Sequence, residues 1–280
     1  MSKSGSTLGR YASLVLEIFR SHYSPGKTSF EFERSELEAT AKNKGITLPK
    51  NLGDVIYNLR YRQQLPDEIC NTAPQGKEWV IEPAGIGKYR FALHAKSRIV
   101  PSINLIVTKI PDATPEIITA NAKNDEQALL AIVRYNRLVD TFLGITAYSL
   151  QSHLRTTVRG IGQIEIDELY IGVDAYGAQY VVPVQAKGGT DQLGIIQTKQ
   201  DLACCSEKFP DLICRPLSAQ FMEGERVVMF ELTVQDDQIR VLQERHYSLV
   251  PADKVTPQDK IEYAKLARRS LTPAKKKRKR

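Results

Sequence analysis

The chain has 280 residues, of which 42% are hydrophobic and 25% are charged, a balance typical of a protein that buries a sizeable core. This composition excludes a disordered chain, a collagen and a small disulfide scaffold. The length predicts two domains or one large domain. No apolar run reaches the ~18 residues that a membrane helix needs, and the first residues lack the apolar core of a signal peptide. A cytoplasmic protein is therefore expected.

The net charge of +7 is concentrated at the C-terminus. Six of the 39 Lys and Arg residues form the unbroken run Lys275–Arg280, so the other 33 nearly balance the 32 Asp and Glu residues. Such a run stays solvated, and its natural partner is a polyanion such as nucleic acid. A solubilising tail or a nuclear-import signal has the same composition, so the run alone decides little.

Several kinds of chemistry lack their sequence motifs. The four cysteines (Cys70, Cys204, Cys205 and Cys214) form neither a CxxC pair nor a Cys/His spacing suited to zinc. No serine stands in a nucleophile elbow, and neither a GxxxxGK[ST] loop nor a complete dinucleotide fingerprint occurs. Acyl transfer and nucleotide cofactors are therefore disfavoured.

Residues 8–95 have the pattern of one small unit. Helical periodicity and strand alternation predict these elements, in chain order: a helix over Leu8–Tyr23, a helix over Arg34–Lys44 that Gly45 ends, a third helix from Pro49, and a hairpin of Glu78–Ile81 and Lys88–Leu93 around Pro83–Gly85. Three helices followed by a hairpin resemble a winged helix-turn-helix, whose third helix enters the major groove of DNA. Double-stranded DNA is therefore an expected partner.

The outer face of the predicted third helix carries amide and cationic side chains. These residues are Lys50, Asn51, Asn58, Arg62 and Gln63. Asn, Gln and Arg can form paired hydrogen bonds with adenine or guanine edges, so this face predicts base reading. The alternative is a solvated face on an ordinary helical bundle.

A linker, a helix and a strand are predicted before the segment that carries the candidate site. Residues 96–123 contain three prolines and predict a linker between domains. A helix is expected over Asn124–Phe142 and a strand over Ile145–Val158.

Two β-prone runs, Gln163–Val173 and Gln179–Lys187, flank a loop that ends in Gly177 and predict a hairpin. If Asp174 pairs with Ala178, Asp167 lies opposite Gln185 and Glu165 lies opposite Lys187. Alternation then predicts two largely apolar faces. One face would hold Ile164, Ile166, Glu168, Tyr170, Tyr180, Val182, Val184 and Ala186. The other would hold Leu169, Ile171, Val173 and Val181, with the polar cluster Glu165, Asp167, Gln185 and Lys187 at its far end.

Oxygen atoms of Asp167, Glu165 and Gln185 are hard ligands suited to Mg²⁺, which also binds substrate phosphates. A metal there would activate water, and Lys187 would orient that water or stabilise charge in the transition state. Together these residues indicate phosphodiester hydrolysis. The alternative is a buried ion-pair network of Glu165, Asp167 and Lys187, which does not explain why Gln185 joins the cluster.

These residues resemble the PD-(D/E)xK nucleases, which include many restriction endonucleases and the Mrr-like enzymes. Asp167 matches the acidic residue of the first strand, and Gln185-Ala186-Lys187 occupies the (D/E)xK triplet in the QxK form of Mrr-like members. Gln at the first triplet position departs from the strict signature and carries no charge, which Glu165 would supply. The resemblance covers residues 124–230 and implies a Mg²⁺-dependent hydrolase.

The resemblance also implies a helix after the triplet that bears glutamines near the site. Asp191–Lys208 fits this helix with Gln197 and Gln200, and Leu212–Phe221 fits the strand after it. The helix before the hairpin would bring Glu126 toward the site. His153 and Arg155 are read either as phosphate contacts or as surface residues of a strand. A further hairpin over 227–250 and a last helix over Ile261–Arg269 complete the expected elements.

The predicted fold class is α/β: a restriction-endonuclease-like mixed sheet flanked by helices and preceded by a small winged-helix (α+β) domain. The expected boundaries are 1–95 for the DNA reader, 96–123 for the linker, 124–270 for the nuclease domain and 271–280 for the basic tail. The expected function is that of a site-specific, Mg²⁺-dependent DNA endonuclease of the type II restriction class, acting as a homodimer or as a monomer that nicks each strand in turn. The alternatives are a repair, modification-dependent or structure-selective nuclease, and a catalytically silent DNA-binding regulator.

Overall fold

The computed structural model of the protein describes residues 5–49, 55–56, 65–95, 99–122, 126–188, 194–222, 226–236 and 238–271. These residues form a three-stranded sheet near the N-terminus and an eight-stranded sheet from the rest of the chain, both with flanking helices. The expectation of a mixed α/β protein is confirmed at this level. No helix within the described ranges has the length and apolar character needed to cross a membrane.

The N-terminal elements surround a compact aromatic core. In chain order they are α1 (Gly5–His22), β1 (Ser29–Glu33), α2 (Arg34–Lys44), α3 (Asp67–Cys70), β2 (Lys77–Gly85) and β3 (Lys88–Ala95), with sheet order β1-β3-β2. The ring of Phe19 lies 5.2 Å, between centroids, from the rings of both Trp79 and Phe91. The two predicted helices are confirmed, and α2 ends at Gly45 because this glycine adopts a left-handed φ of 63°.

Two features of this unit bear on the expectation of a DNA reader. Within the predicted third helix the structure describes Val55 and Ile56, which are helical and buried in the aromatic core. The proposed base-reading residues Lys50, Asn51, Asn58, Arg62 and Gln63 lie outside the described residues. The hairpin that follows is confirmed, but its turn was misplaced. The strands continue through Pro83 to the pair Gly85↔Lys88, so that Ile86 and Gly87 form the turn.

The large sheet contains the strands that carry the candidate site. Its elements are β4 (Val107–Pro111), α4 (Glu116–Asn121), α5 (Glu126–Tyr135), α6 (Leu138–Leu143), β5 (Thr146–Val158), β6 (Gly162–Val173), β7 (Gln179–Lys187), α7 (Ile195–Lys208), β8 (Ile213–Cys214), β9 (Leu217–Met222), β10 (Arg226–Gln235), β11 (Gln238–Val250), a 3₁₀ turn (Ala252–Lys254) and α8 (Pro257–Leu271). The strand order is β4-β11-β10-β9-β7-β6-β5, and β8 adds to β7. Strands β5, β6 and β7 form an antiparallel meander, whereas β9 returns parallel to β7 after α7.

Three expectations about elements need correction. The predicted helix over Asn124–Phe142 is broken into α5 and α6, because the buried Asn136 turns its side chain to Ala113 and Thr114 and Arg137 takes a left-handed φ of 48°. The predicted strand over Leu212–Phe221 is interrupted between β8 and β9, where Pro216 has no N–H to donate to a ladder. Within the segment expected as a linker, β4 joins the large sheet by parallel pairing with β11.

Helices cover the two faces of the large sheet. On one face α5 and α6 pack over Tyr170, Val182 and Val184. On the other face α7 packs through Cys204 and Cys205 on residues that include Leu169 and Val181, and its first turn joins a second apolar cluster with β10. The middle of the sheet is therefore shielded from water on both sides, and the polar cluster of β6 and β7 lies at one end of this layered core.

Candidate active site

The hairpin of β6 and β7 has the register that the sequence predicts, from its turn down to Glu168. The pairs run from Val173↔Gln179 to Glu168↔Val184. The turn closes through a hydrogen bond from Asp174 N to Ala178 O, with Gly177 at a φ of 82°. The two pairs predicted beyond Glu168, Asp167 with Gln185 and Glu165 with Lys187, do not form, although the charge of Lys187 still acts on Asp167.

The two strands separate at Asp167. Their pairing ends at Glu168↔Val184, and the Asp167 carboxylate takes the place of a backbone acceptor by accepting the N–H of Ala186 at 2.9 Å. On the other side of β6 the pairs step from Ser152↔Glu168 to Leu154↔Ile166, and the intervening His153 has a φ of 49°. Asp167 thus lies where the regular ladder is interrupted toward both neighbouring strands.

This interruption corrects the predicted faces. Ile164 and Ile166 were expected beside Tyr170, but they pack in the cluster of Leu169 and Val181, under α7. The alternation of side chains changes phase between Ile166 and Leu169, because the backbone at Asp167 does not continue a regular ladder. Glu168 is buried on the opposite face, where it accepts hydrogen bonds from Arg134 and Ser149.

Asp167 is mostly buried, and its pKa is raised. Burial is the main cause, and the charges of Glu126 and Glu165 add to it. The Ala186 N–H and the Lys187 ammonium act in the opposite direction. The Ala186 N–H donates to Oδ2. The other carboxylate oxygen, Oδ1, can therefore bind a cation or a water molecule.

Gln185 is buried and is anchored by a residue that the sequence analysis missed. Its Nε2 donates to the Asp201 carboxylate, 3.0 Å from Oδ1 and 3.3 Å from Oδ2. Asp201 is buried on α7, and burial raises its pKa well above the ordinary value, with a further contribution from the charge of Asp167. A signal for Asp201 was present, because helical spacing from Thr198 to Cys205 places this carboxylate on the inner stripe of α7.

Lys187 ends β7 with its side chain largely buried. Its Nζ lies 3.4 Å from the Glu126 carboxylate, at the first turn of α5. The expectation that Glu126 approaches the site is confirmed as a contact with Lys187. This ion pair places the ammonium where its charge acts on both Asp167 and Asp201.

Glu165 lies on the solvent side of the cluster. His153 and Arg155, the two residues predicted to contact phosphate, lie beside it. The Glu165 carboxylate is 3.3 Å from Arg155 Nε and 3.5 Å from His153 Nδ1. Both partners are substantially exposed, so they can reach a ligand. The structure therefore brings Glu165, His153 and Arg155 together at the surface, next to the buried Asp167 and Gln185.

The glutamines expected on the helix after the triplet differ in exposure. Gln197 is half-buried, whereas Gln200 is buried. Gln200 could contact DNA only if α7 moved. Gln197 is more accessible and is the better candidate for the predicted DNA contact.

The donor set of this site fits a hard cation with few protein ligands. Among the described residues, no group of three or more His, Cys, Asp and Glu side chains is placed to hold a metal ion. Asp167 Oδ1 and the Gln185 carbonyl oxygen are nevertheless hard donors next to a second buried carboxylate, Asp201. Mg²⁺ needs only one or two carboxylates when water and substrate phosphate complete its shell. A cation would also offset the buried negative charge of this cluster.

Comparison with known protein families and with characterised proteins finds no match to this sequence.

Proposed function

We propose that this protein is a Mg²⁺-dependent DNA endonuclease of the PD-(D/E)xK kind, acting in the cytoplasm as a site-specific restriction enzyme. The observation that supports it best is the meeting of Asp167, Gln185 and Lys187 at the point where the β6–β7 hairpin opens. The order of the surrounding elements also agrees with the resemblance: a helix, a three-stranded meander, α7 and a parallel β9.

Each residue of the proposed site has a distinct role. Asp167 and the Gln185 carbonyl oxygen hold Mg²⁺, which when bound polarises the scissile phosphate and its attacking water. Asp201 orients the Gln185 amide by accepting its N–H groups, so that the carbonyl oxygen turns away from Asp201. Lys187 orients the water and stabilises the negative charge that develops on the phosphate.

The surface residues beside the site would position the DNA. Arg155 and His153 are exposed and adjoin Glu165, and their donors suit phosphate oxygens. The third helix of the N-terminal unit would read base edges, as its composition predicts. Cleavage of both strands calls for a homodimer or for two successive nicks.

A second candidate function is a DNA-binding regulator with a silent nuclease core. The identity of residue 185 favours it, because an amide oxygen carries no net charge and binds Mg²⁺ more weakly than a carboxylate. A repair, modification-dependent or structure-selective nuclease differs from the restriction enzyme in its substrate, with the same site residues.

The test is cleavage of long unmethylated DNA in Mg²⁺ by the wild type and Lys187→Ala, with Lys254→Ala, an exposed lysine of the 3₁₀ turn, as matched control. We expect discrete fragments from the wild type and the control, and a loss of about 100-fold or more in Lys187→Ala, since removal of one transition-state donor has that effect. EDTA should abolish the fragments, and their end sequences identify the recognition site. Intact DNA in both Mg²⁺ and Mn²⁺, with binding retained, would contradict the restriction enzyme and support either the modification-dependent nuclease or the silent regulator.

A further inference from the structure

Three of the four cysteines belong to one apolar cluster between α7 and the sheet. Cys204 and Cys205 are buried residues of α7, and Cys214 ends β8 and packs against the same cluster. The fourth cysteine, Cys70, lies in the N-terminal unit, where its thiol donates a hydrogen bond to the Leu65 carbonyl oxygen. The chemistry proposed for the candidate active site uses none of these thiols.

Backbone hydrogen bonds hold Cys205 and Cys214 in place. Cys214 pairs with Val181 in the parallel ladder of β8 and β7, and the next residue, Arg215, donates its N–H to the Val181 carbonyl oxygen. Val181 belongs to the same apolar cluster as Cys205. At the end of α7, the Cys205 carbonyl oxygen accepts the N–H of Phe209. The connection between the two cysteines is therefore fixed at both of its ends.

The thiols of Cys205 and Cys214 interact directly. A side-chain hydrogen bond with Cys214 is the main cause that raises the pKa of the Cys205 thiol above its ordinary value, and burial adds to this rise. The neighbouring Cys204 differs, because its pKa is raised to about 11 mainly by burial, and the charge of Cys214 contributes least. The contact therefore pairs Cys214 with Cys205 rather than with Cys204.

The two sulfur atoms of this pair differ in exposure. Cys205 is 1% exposed, whereas Cys214 is partly exposed and follows Ile213, which is 52% exposed. A small oxidant from solvent therefore reaches Cys214 first. Cysteine sulfenic acid condenses with a neighbouring thiol, and the buried Cys205 thiol is the one in contact with Cys214.

We propose that Cys205 and Cys214 form a redox modification site, at which a hydroperoxide converts the two thiols into a disulfide between α7 and β8. In the first step the Cys214 sulfur attacks a peroxide oxygen and the O–O bond breaks. Cys214 becomes a sulfenic acid, and the leaving oxygen takes the thiol proton, so the peroxide is reduced to an alcohol or to water. In the second step the Cys205 sulfur attacks the Cys214 sulfur and the S–O bond breaks. The hydroxide leaves as water with the Cys205 proton.

The disulfide acts on the part of α7 that supports the candidate site. Asp201 lies one helical turn before Cys205 and accepts hydrogen bonds from Gln185. A covalent bond from Cys205 to β8 limits how far this turn, and with it Asp201, can move from Gln185. The modification does not depend on the proposed nuclease function, and its test measures thiols rather than DNA cleavage.

The test treats the folded, reduced protein with a small excess of hydrogen peroxide, blocks the remaining thiols with iodoacetamide and maps the tryptic peptides by mass spectrometry. Trypsin cleaves after Lys208, so a bond between Cys205 and Cys214 joins two peptides. We expect the wild type to lose two of its four thiols in this linked pair, and dithiothreitol to restore both. The matched controls Cys70→Ser and Cys204→Ser should form the same link.

Two further variants separate the steps. Cys214→Ser should keep its remaining thiols, and Cys205→Ser should stop at a sulfenic acid on Cys214, which dimedone labels. The proposal is overturned if the folded wild type keeps all four thiols, if Cys214 is oxidised to sulfinic acid without a link, or if Cys204→Ser abolishes the link. The wild-type map decides the outcome without Cys205→Ser, which places a hydroxyl in an apolar cluster and can itself destabilise the fold.

Discussion

Asp201 places a carboxylate where water has little access. It lies on the inner stripe of α7, its neighbours include the second carboxylate Asp167, and its direct partner is the Gln185 amide. A buried charge of this kind costs free energy of folding unless a cation or a proton neutralises it. The Asp201 charge should therefore lower the stability of the metal-free protein and support the proposed cleavage. The substitution Asp201→Asn tests both effects.

We predict that Asp201→Asn stabilises the metal-free protein at neutral pH and weakens DNA cleavage. The pKa of Asp201 is raised in the folded state, so its contribution to stability is largest below the unfolded value, near 3.8, and is lost as the pH rises through the folded value. Asn has no titratable group, so Asp201→Asn does not lose stability at this position as the pH rises. Urea unfolding in EDTA at several pH values should show the variant gaining stability relative to the wild type as the pH rises.

Cleavage should fall about 10- to 100-fold in the same variant, as is usual when a group that orients a metal ligand is changed. Asp211→Asn, at an exposed carboxylate beyond α7, is the control for both measurements. Equal unfolding free energies of Asp201→Asn and the wild type at every pH would show that the Asp201 charge is not costly in the folded protein.

At the level of residues, the sequence predicted those site members that a strand pattern can reveal. Asp167, Gln185 and Lys187 fall on a hairpin whose register follows from Gly177 and the turn. Helical spacing indicates that Asp201 faces inward, but its contact with Gln185 depends on how α7 packs on the sheet, which no local pattern contains. The burial of Ile164 and Ile166 under α7 was also missed, since alternation assumes an uninterrupted strand.

Among the elements, β6 carries two residues of the proposed site, Glu165 and Asp167. It is paired on both sides near Gly172, but its ladder is interrupted on both sides at Asp167. The regular half fixes the position of the strand, and the interrupted half frees the Asp167 side chain to accept a backbone N–H. Close packing in the regular half should therefore matter for stability.

Gly172→Ala tests this division of β6. A Cβ at Gly172 would lie 2.7 Å from Ile145 Cδ1 and 3.2 Å from the Thr146 carbonyl oxygen. The buried Ile145 side chain must therefore rotate, and the Thr146 backbone must give by a few tenths of an ångström. We expect the free energy of unfolding to fall by about 1–3 kcal/mol, as in other overpacked cores. The control Gly188→Ala places its Cβ 3.9 Å from Glu126, an ordinary contact, and should change stability less. Urea denaturation measures both, and equal losses would show that packing at Gly172 is not limiting.

The sequence predicted the helices and hairpins whose ends are set by neighbouring residues, and it missed the features that depend on contacts between distant segments. Helix α2 was predicted to the residue because Gly45 ends it, and the β10–β11 hairpin follows from its alternation. The break between α5 and α6 was not predicted, since Asn136 bonds to Ala113 and Thr114, which are distant in sequence. The pairing of β4 with β11 is similarly non-local and joins segments about 140 residues apart.

On the scale of the whole molecule, the N-terminal unit packs against the helix that carries Asp201. Val80 of β2 contacts the apolar cluster that contains Ile195 and Ile196 of α7. Glu82, on the same strand, lies 3.8 Å from Lys199 Nζ. If the N-terminal unit binds DNA as proposed, a change in this unit would reach α7 through these contacts. The positive charge that would attract DNA lies at the opposite end of the chain.

The C-terminal run Lys275–Arg280 should provide a large part of the electrostatic attraction for DNA, because the rest of the chain is nearly neutral. Each phosphate that a cation neutralises contributes ~0.9 to the slope of log Kobs against log[salt]. Replacing the six residues with serine should therefore weaken binding at low salt and reduce the slope by up to about 5. Fluorescence anisotropy of a labelled duplex at several NaCl concentrations measures the slope, with Lys254→Ala as control for a single surface charge. A tail that only improves solubility would leave both the affinity and the slope unchanged.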